Sequence, residues 1–419
     1  MSRDLRIGFV GTRFAGTDGV SLETRKWVRV LEAEGHRCLF FAGESDWPGE
    51  RSRLVDEADF RHPAIAAVNQ ELFERNGRSS STSAAVYRLK THLKRQFEGF
   101  VTDFGIELLI VENALSLPMN VPLGLALTEF LAEHQTPTIA HHHDFYWERR
   151  RYLRSGASDY LRMSFPPTLP CIRHVVINSH AAREMALRTG CGVFLIPNVM
   201  DFAHPEDVSD DYAGDLRAQL GIDPDADLIL QPTRIVPRKR IERAIELVRR
   251  LDQKAVLVIS HSSGDEGAEY ERYLREYAGL LDVKVVFASD RSGYERGRDA
   301  SGRKRYSLAD LYRAADLVSY PSLIEGFGNA FLEAVYYRKP LVMSHYEIYF
   351  TDIEPQGFRV IGFDNFIDHR TVRQARNALS DGECVAEIVE HNYAIGRRHY
   401  SYEVLRDKLR ILAAEAGGR

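Results

Sequence analysis

Strand-like runs alternate with helix-patterned segments along both halves of the chain, and that alternation restricts it to parallel sheets flanked by helices. Strands are expected at Leu5–Val10, Arg37–Ala42, Leu108–Val111, Thr138–His141 and His174–Ile177, then at Leu228–Gln231, Val256–Ser260, Val283–Phe287 and Leu317–Tyr320. Two such sets in 419 residues, 44% of them hydrophobic, exceed one compact core and fit two domains. Between the sets, Asn198 to Asp227 is polar, acidic and rich in turn residues. The boundary is therefore expected near 200–210, giving domains 1–203 and 204–397, with a terminal helix 398–419 completing the first. The fold class is α/β, two doubly wound Rossmann-like domains facing across a cleft, with ligands at the carboxyl ends of the strands.

A formal charge of −5 offers no basic face for a polyanion, so nucleic acid is not an expected partner. Cys38, Cys171, Cys191 and Cys384 lie far apart with neither zinc nor disulfide spacing, which suits a reducing, cytoplasmic setting. No apolar run approaches the roughly 18 residues of a membrane span. The oligomeric state is left open.

The most informative run is Glu325-Gly326-Phe327-Gly328-Asn329-Ala330, which leads to Glu333. It follows a strand, turns on two glycines and opens a helix, an arrangement that aims backbone N–H groups at an anion. Glu333 is placed to accept from ribose hydroxyls and Glu325 from sugar hydroxyls; the alternative is a surface turn before an amphipathic helix. Upstream, Arg234 and Lys239 stand five positions apart in a loop after a strand, where a fork and a point charge can converge on a diphosphate. A solvated basic turn is the alternative. In the first half, Gly16 and Gly19 follow the first strand without forming G-x-G-x-x-G, and they either admit a diphosphate or make an ordinary turn.

The run His141-His142-His143-Asp144 ends another strand. Neighbouring residues of an extended chain point to opposite faces and no distant ligand set is apparent, so no metal is expected. One imidazole is expected to meet a sugar hydroxyl, with Asp144 orienting the neighbourhood. Trp147, Arg150 and Arg151 follow, and they form either an acceptor-binding face or a solvated helix surface. The basic stretch Tyr87–Phe97 is either a membrane-surface helix or one packed on the first domain.

Taken in order, these motifs resemble the retaining GT-B glycosyltransferases of glycosyltransferase family 4, over nearly the whole chain. Arg234-x4-Lys239 looks like that family's diphosphate pair, Glu325-x7-Glu333 like its E-x7-E segment, and Ile196-Pro197-Asn198-Val199 like its crossing between domains. The resemblance implies that Glu333 holds the ribose, Glu325 the donor sugar, and amides from Phe327 to Ala330 the phosphates or sugar. It implies that His142 or His143 faces the transferred sugar, with Arg234 and Lys239 stabilising the leaving diphosphate. Two departures stand out: Arg240 follows Lys239 where glycine is usual, and Val199 follows Asn198 where glycine is frequent.

The resemblance implies a nucleoside-diphosphate sugar as co-substrate, and no cofactor is expected. No Asp-x-Asp motif sits at a strand's carboxyl end, since Asp223, Asp225 and Asp227 precede a strand, so no essential metal is expected. Similarity of Glu325–Pro355 to transferases linked with mannosylated and glucosylated solutes favours GDP-mannose, then UDP-glucose, and a small hydrophilic, anionic acceptor. The rival readings are a lipid- or polysaccharide-directed transferase, a sugar phosphorylase on the same fold, a Rossmann oxidoreductase and a non-catalytic sugar-nucleotide sensor.

Overall fold

The computed structural model describes residues 4–16, 18–205, 210–263, 268–293 and 295–417. The chain divides into two compact units, one running to Val199 and resuming at Tyr402, the other spanning Met200–Ser401. Sequence placed the crossings at 203/204 and 397/398.

In the first unit the strands are β1 (Arg6–Val10), β2 (Arg37–Ala42), β3 (Ser52–Leu54), β4 (Leu108–Glu112), β5 (Thr138–His142), β6 (Ile172–Val176) and β7 (Phe194–Leu195). They form a parallel sheet in the order β3-β2-β1-β4-β5-β6-β7. Ile7, Phe9, Phe40 and Ile110 are buried on one face with Trp27 and Leu31, while Leu39, Phe41, Leu109 and Val111 are buried on the other with Phe97 and Phe100. Strands apolar on both sides are what a sheet covered by helices on both faces requires. The terminal helix Tyr402–Gly417 completes this unit, setting Leu405, Leu409 and Leu412 into the Trp27 side of its core.

The second unit repeats the plan with β8 (Asp227–Gln231), β9 (Ala255–Ile259), β10 (Val285–Phe287), β11 (Leu317–Tyr320), β12 (Leu341–Ser344) and β13 (Ile361–Phe363). Their order, β10-β9-β8-β11-β12-β13, reverses direction at β8, and ligands gather at such a switch point. Short β3, β7, β12 and β13 escaped the sequence reading because two to four residues of a strand carry too little periodicity.

Arg291–Arg305, read from sequence as a surface loop or lid, contains pieces of a small three-stranded sheet built from Ser292–Gly293, Gly297–Arg298 and Lys304–Ser307. Arg296 anchors it, pairing with Asp310 and with Asp210 at 2.6 Å, and Lys304 reaches Asp215 at 2.9 Å. The basic helix containing Tyr87–Phe97 runs from Ser80 to Phe104 and packs against the helix Val121–His134. Lys94 pairs there with Glu129 at 3.0 Å and Glu133 at 2.6 Å, and Lys90 also pairs with Glu129, so these charges are met within the protein. No helix among the described residues is long and apolar enough to cross a membrane.

Leu405→Ala is expected to destabilise the first unit by about 2–5 kcal/mol, the range for truncating a fully buried leucine. Urea unfolding followed by tryptophan fluorescence, with Trp27, Trp47 and Trp147 all in this unit, checks this, and an unchanged midpoint would show that the terminal helix is not part of that core.

Candidate active site

Two neighbouring strands of the second unit, β8 and β11, end in the residues that sequence had singled out. After β8 the chain runs through Arg234 into a short turn, Pro237–Lys239. After β11 it runs through Pro321 and Ser322 to Glu325. Leu323 donates its amide to the Arg238 carbonyl at 2.9 Å, which ties the two loops together. The Lys239 ammonium is paired directly with the Glu325 carboxylate, and both side chains are about nine-tenths buried. Arg238 approaches the other carboxylate oxygen at 3.4 Å, and the Tyr320 ring lies 5.5 Å from the Lys239 nitrogen.

Burial by itself would raise the Glu325 carboxyl, but Lys239 and then Arg238 outweigh it and hold the group below the usual glutamate range. For Lys239, burial draws the ammonium below the usual lysine range; Glu325 opposes this, and Arg238 and Arg234 add to it. Arg234 is exposed at the loop mouth. Sequence reading missed His261, two residues beyond β9, whose Nδ1 lies 2.7 Å from Ser260 Oγ. Burial, followed by Arg234 and Lys239, pushes its imidazole down to about 4, so it is neutral at physiological pH. Its signal was position alone: it follows a central strand in a unit whose other strand ends bear the site.

Gly328 opens the helix Asn329–Tyr336 at φ 117°, and it has no side chain with which to cap the first-turn amides. A Cβ there would run into the Tyr346 hydroxyl, which donates to the Phe327 carbonyl at 2.8 Å. Gly326, Asn329 and Ala330 lie in the same strand-to-helix turn, with the Ala330 carbonyl accepting from the Tyr312 hydroxyl at 3.3 Å. Tyr312 also donates to Glu333 at 2.8 Å, fixing that carboxylate on the helix it was predicted to occupy.

The first unit handles its glycine loop differently. Asp18 caps the helix Gly19–Ala33 and accepts from the Val20 and Ser21 amides, both at 3.1 Å, while Gly16 donates its amide to Asp46 at 2.8 Å. Carboxylates thus already occupy amides beside Gly16 and Gly19, where sequence had expected a diphosphate.

The three histidines separate in the structure. His142, expected at the sugar, is fully buried, its Nε2 lying 2.9 Å from Nδ1 of His174. Burial, then the neighbouring His174, drives its imidazole well below the usual range. His141 is buried against Trp27, with ring centroids 4.2 Å apart. His143 lies at the strand mouth, partly exposed, and its Nε2 donates to Glu112 at 3.1 Å. Burial opposes its protonation, yet the hydrogen bond and charge of Glu112 raise its pKa above the usual histidine value. Glu112, His141 and His143 bring one donor atom each within 4.8 Å of one another and could hold a metal ion. Sequence shows no distant ligand for the histidine run, but the pairing of β4 with β5 brings Glu112 beside it.

Asp144 pairs with Arg149 at 2.8 Å, and Trp147 stacks on Phe145 at 4.4 Å beneath the Arg188 guanidinium. Trp147 is thus packed into the unit, whereas Arg150 and Arg151 are exposed on the helix Arg150–Leu153.

The chain is 33% identical to the mannosylglucosylglycerate synthase of Thermotoga maritima, covering 97% of this chain and 99% of that one. The chain belongs to the mannosylglucosylglycerate synthase family. A second family protein, from Petrotoga mobilis, is 32% identical over 85% of this chain and 86% of its own length. No protein-family model matches. The fold is GT-B, as in the solved glycosyltransferase from Rickettsia africae (TM-score 0.67, 11% identity, 99% of each chain covered). Anabaena Alr3699/HepE in complex with UDP-glucose is similar, with a TM-score of 0.65, 13% identity, and 98% and 100% of the chains covered. This member of the mannosylglucosylglycerate synthase family is therefore a glycosyltransferase, as the ordered motifs implied.

Because Glu325 is more acidic folded than unfolded, its contribution to stability is complete above the ordinary glutamate pKa of about 4.3 and is lost as pH falls through the lower folded value. Glu325→Gln should cost about 3–5 kcal/mol at neutral pH, by leaving Lys239 buried without its counter-charge. It should also flatten the loss of stability between about pH 5 and pH 3. Denaturant melts across that range check both effects; parallel acid limbs in the two proteins would contradict the assignment.

Proposed function

We propose that this chain is a retaining hexosyltransferase that moves mannose from GDP-mannose onto a hydroxyl of a small, hydrophilic, anionic acceptor of the glucosylglycerate kind. UDP-glucose is the next donor in rank. The family's name supports the mannosyl donor and the acceptor class. The observation that carries the donor assignment is the buried Lys239–Glu325 pair beside a helix start with no side-chain cap. A nucleotide sugar is the ligand that complements both partners, offering phosphate oxygens to the cation and sugar hydroxyls to the carboxylate.

In this reading Arg234 and Lys239 hold the diphosphate, the amides from Phe327 to Ala330 add hydrogen bonds to the phosphates or sugar, and Glu333 takes the ribose. Glu325 orients the sugar without bonding covalently to it. The acceptor oxygen forms its bond to the anomeric carbon on the face that the diphosphate leaves. The C–O bond to phosphate breaks with its electron pair going to the diphosphate, and the acceptor proton passes to a diphosphate oxygen. Stabilising that developing charge is the largest task left to the protein, and it falls to the two cations. His143, at the mouth of β5, meets the transferred sugar, since His142 is enclosed. Gly16 and Gly19 contribute to donor binding only once Asp46 releases the Gly16 amide and Asp18 those of Val20 and Ser21. Asp144, Trp147, Arg150 and Arg151 form the acceptor side, where the exposed guanidiniums of Arg150 and Arg151 suit a carboxylate. No metal or cofactor takes part, and the free cysteines support a cytoplasmic setting.

A thermal-shift series with GDP-, UDP- and ADP-sugars, and with the diphosphates as controls, tests this function; stabilisation by none of them would refute it. Lys239→Ala should lower kcat by an amount equivalent to about 2–4 kcal/mol of barrier, as loss of a buried oxyanion donor does. Full kcat at saturating donor would contradict its role. Transfer from GDP-mannose should persist in EDTA and give the α-linked product by proton NMR, whereas a β-linked product would exclude retention.

A further inference from the structure

Glu112 has no role in the chemistry above, yet it is a buried carboxylate in direct contact with His143. It ends β4, and its register partner on β5 is His141, two residues before His143. Its side chain is 1% exposed. A carboxylate at that depth costs several kcal/mol unless it is paired and hydrogen-bonded. One oxygen, Oε2, accepts from His143 Nε2 at 3.1 Å and lies 3.0 Å from His141 Nδ1. The next residue, Asn113, adopts a left-handed backbone at φ 57°, and its Oδ1 accepts from the His143 amide at 2.7 Å and from the Asp144 amide at 3.4 Å. Two consecutive residues of one strand end therefore hold His143 by its ring and by its backbone. Behind them the His141 ring lies 4.2 Å from His143 and 4.2 Å from Trp27, closing the side away from the strand mouth.

We propose that Glu112 is a positioning residue for His143, its carboxylate fixing which ring nitrogen carries the hydrogen and how the ring stands at the end of β5. A carboxylate can only accept, so Nε2 carries the hydrogen and Nδ1 is the nitrogen that Glu112 leaves unengaged. A glutamine at this position presents both a donor and an acceptor and does not impose that choice. The inference rests on the reading that His143 meets the transferred sugar.

A double-mutant cycle tests it, using Glu112→Gln, His143→Ala and the combined variant, with GDP-mannose and glucosylglycerate as substrates and melting curves to confirm folding. Glu112→Gln should lower kcat about 10–100-fold, the usual cost of losing a residue that orients a functional histidine, with the donor KM little changed. The combined variant should be no slower than His143→Ala alone, because Glu112 acts through that ring. Losses that multiply, or an unaltered kcat in Glu112→Gln, overturn the inference while leaving the His143 reading intact; full activity of His143→Ala overturns that reading instead. Histidine-labelled protein gives a readout independent of turnover. Long-range proton–nitrogen spectra at alkaline pH should show the His143 hydrogen on Nε2 in the parent and on both nitrogens in Glu112→Gln, and a parent ring protonated at Nδ1 would overturn the proposal. If Glu112→Gln fails to fold, Glu112→Asp, which keeps the charge but shortens its reach, takes its place in both measurements.

Discussion

The second unit is organised around one enclosed ion pair, Lys239 with Glu325. Taking both charges out of water is expensive, and their mutual attraction compensates only when geometry and further polar contacts are in place. Those conditions account for much of the local architecture. The Leu323 amide bonded to the Arg238 carbonyl fixes one loop against the other, and the Tyr346 hydroxyl bonded to Phe327 fixes the far side of the Glu325 turn. The Tyr346 oxygen fills the space that a Cβ on residue 328 would need, so glycine there serves packing as well as its positive φ. A pair retained at this cost suits a site whose ligand carries the complementary charges and hydroxyls.

Each unit presents a glycine-containing loop that leads from a strand into a helix start, but they treat its positive end in opposite ways. In the first, Asp18 satisfies the Val20 and Ser21 amides itself, and Asp46 takes that of Gly16. In the second, Gly328 caps without a side chain, and Arg238 and Lys239 from the neighbouring loop pair with Glu325. An anion is repelled where carboxylates already stand and favoured at a helix N-terminus whose cap residue brings no side chain. That contrast is the physical reason for assigning the diphosphate to the second unit.

Much of this was legible in sequence, because the determining features are contiguous. The alternation of strands and helices predicted two parallel sheets, and Arg234, Lys239, Glu325 and Glu333 sit at the strand ends and helix turn that their spacing indicated. What escaped depends on residues brought together from distant strands. Glu112 is an ordinary acid at the end of an apolar run until β4 and β5 lie side by side. The choice among His141, His142 and His143 depended on which alternate face of β5 is covered, and His174 on β6 settled that for His142. His261 carried no motif. The small sheet around Ser292–Ser307 was hidden by a composition of Arg, Gly and Asp that reads as loop, although Arg296 and Lys304 are consumed in pairing with Asp310, Asp210 and Asp215.

Hydrogen–deuterium exchange on the intact protein, with and without GDP-mannose, tests the central assignment most directly. Binding should slow exchange at the amides of the 234–240 loop and of the 325–332 turn, while peptides from the helix His369–Ser380 in the same unit stay unchanged. Protection confined to the Gly16–Ser21 loop, with none around Glu325, would contradict the assignment of the donor to the second unit.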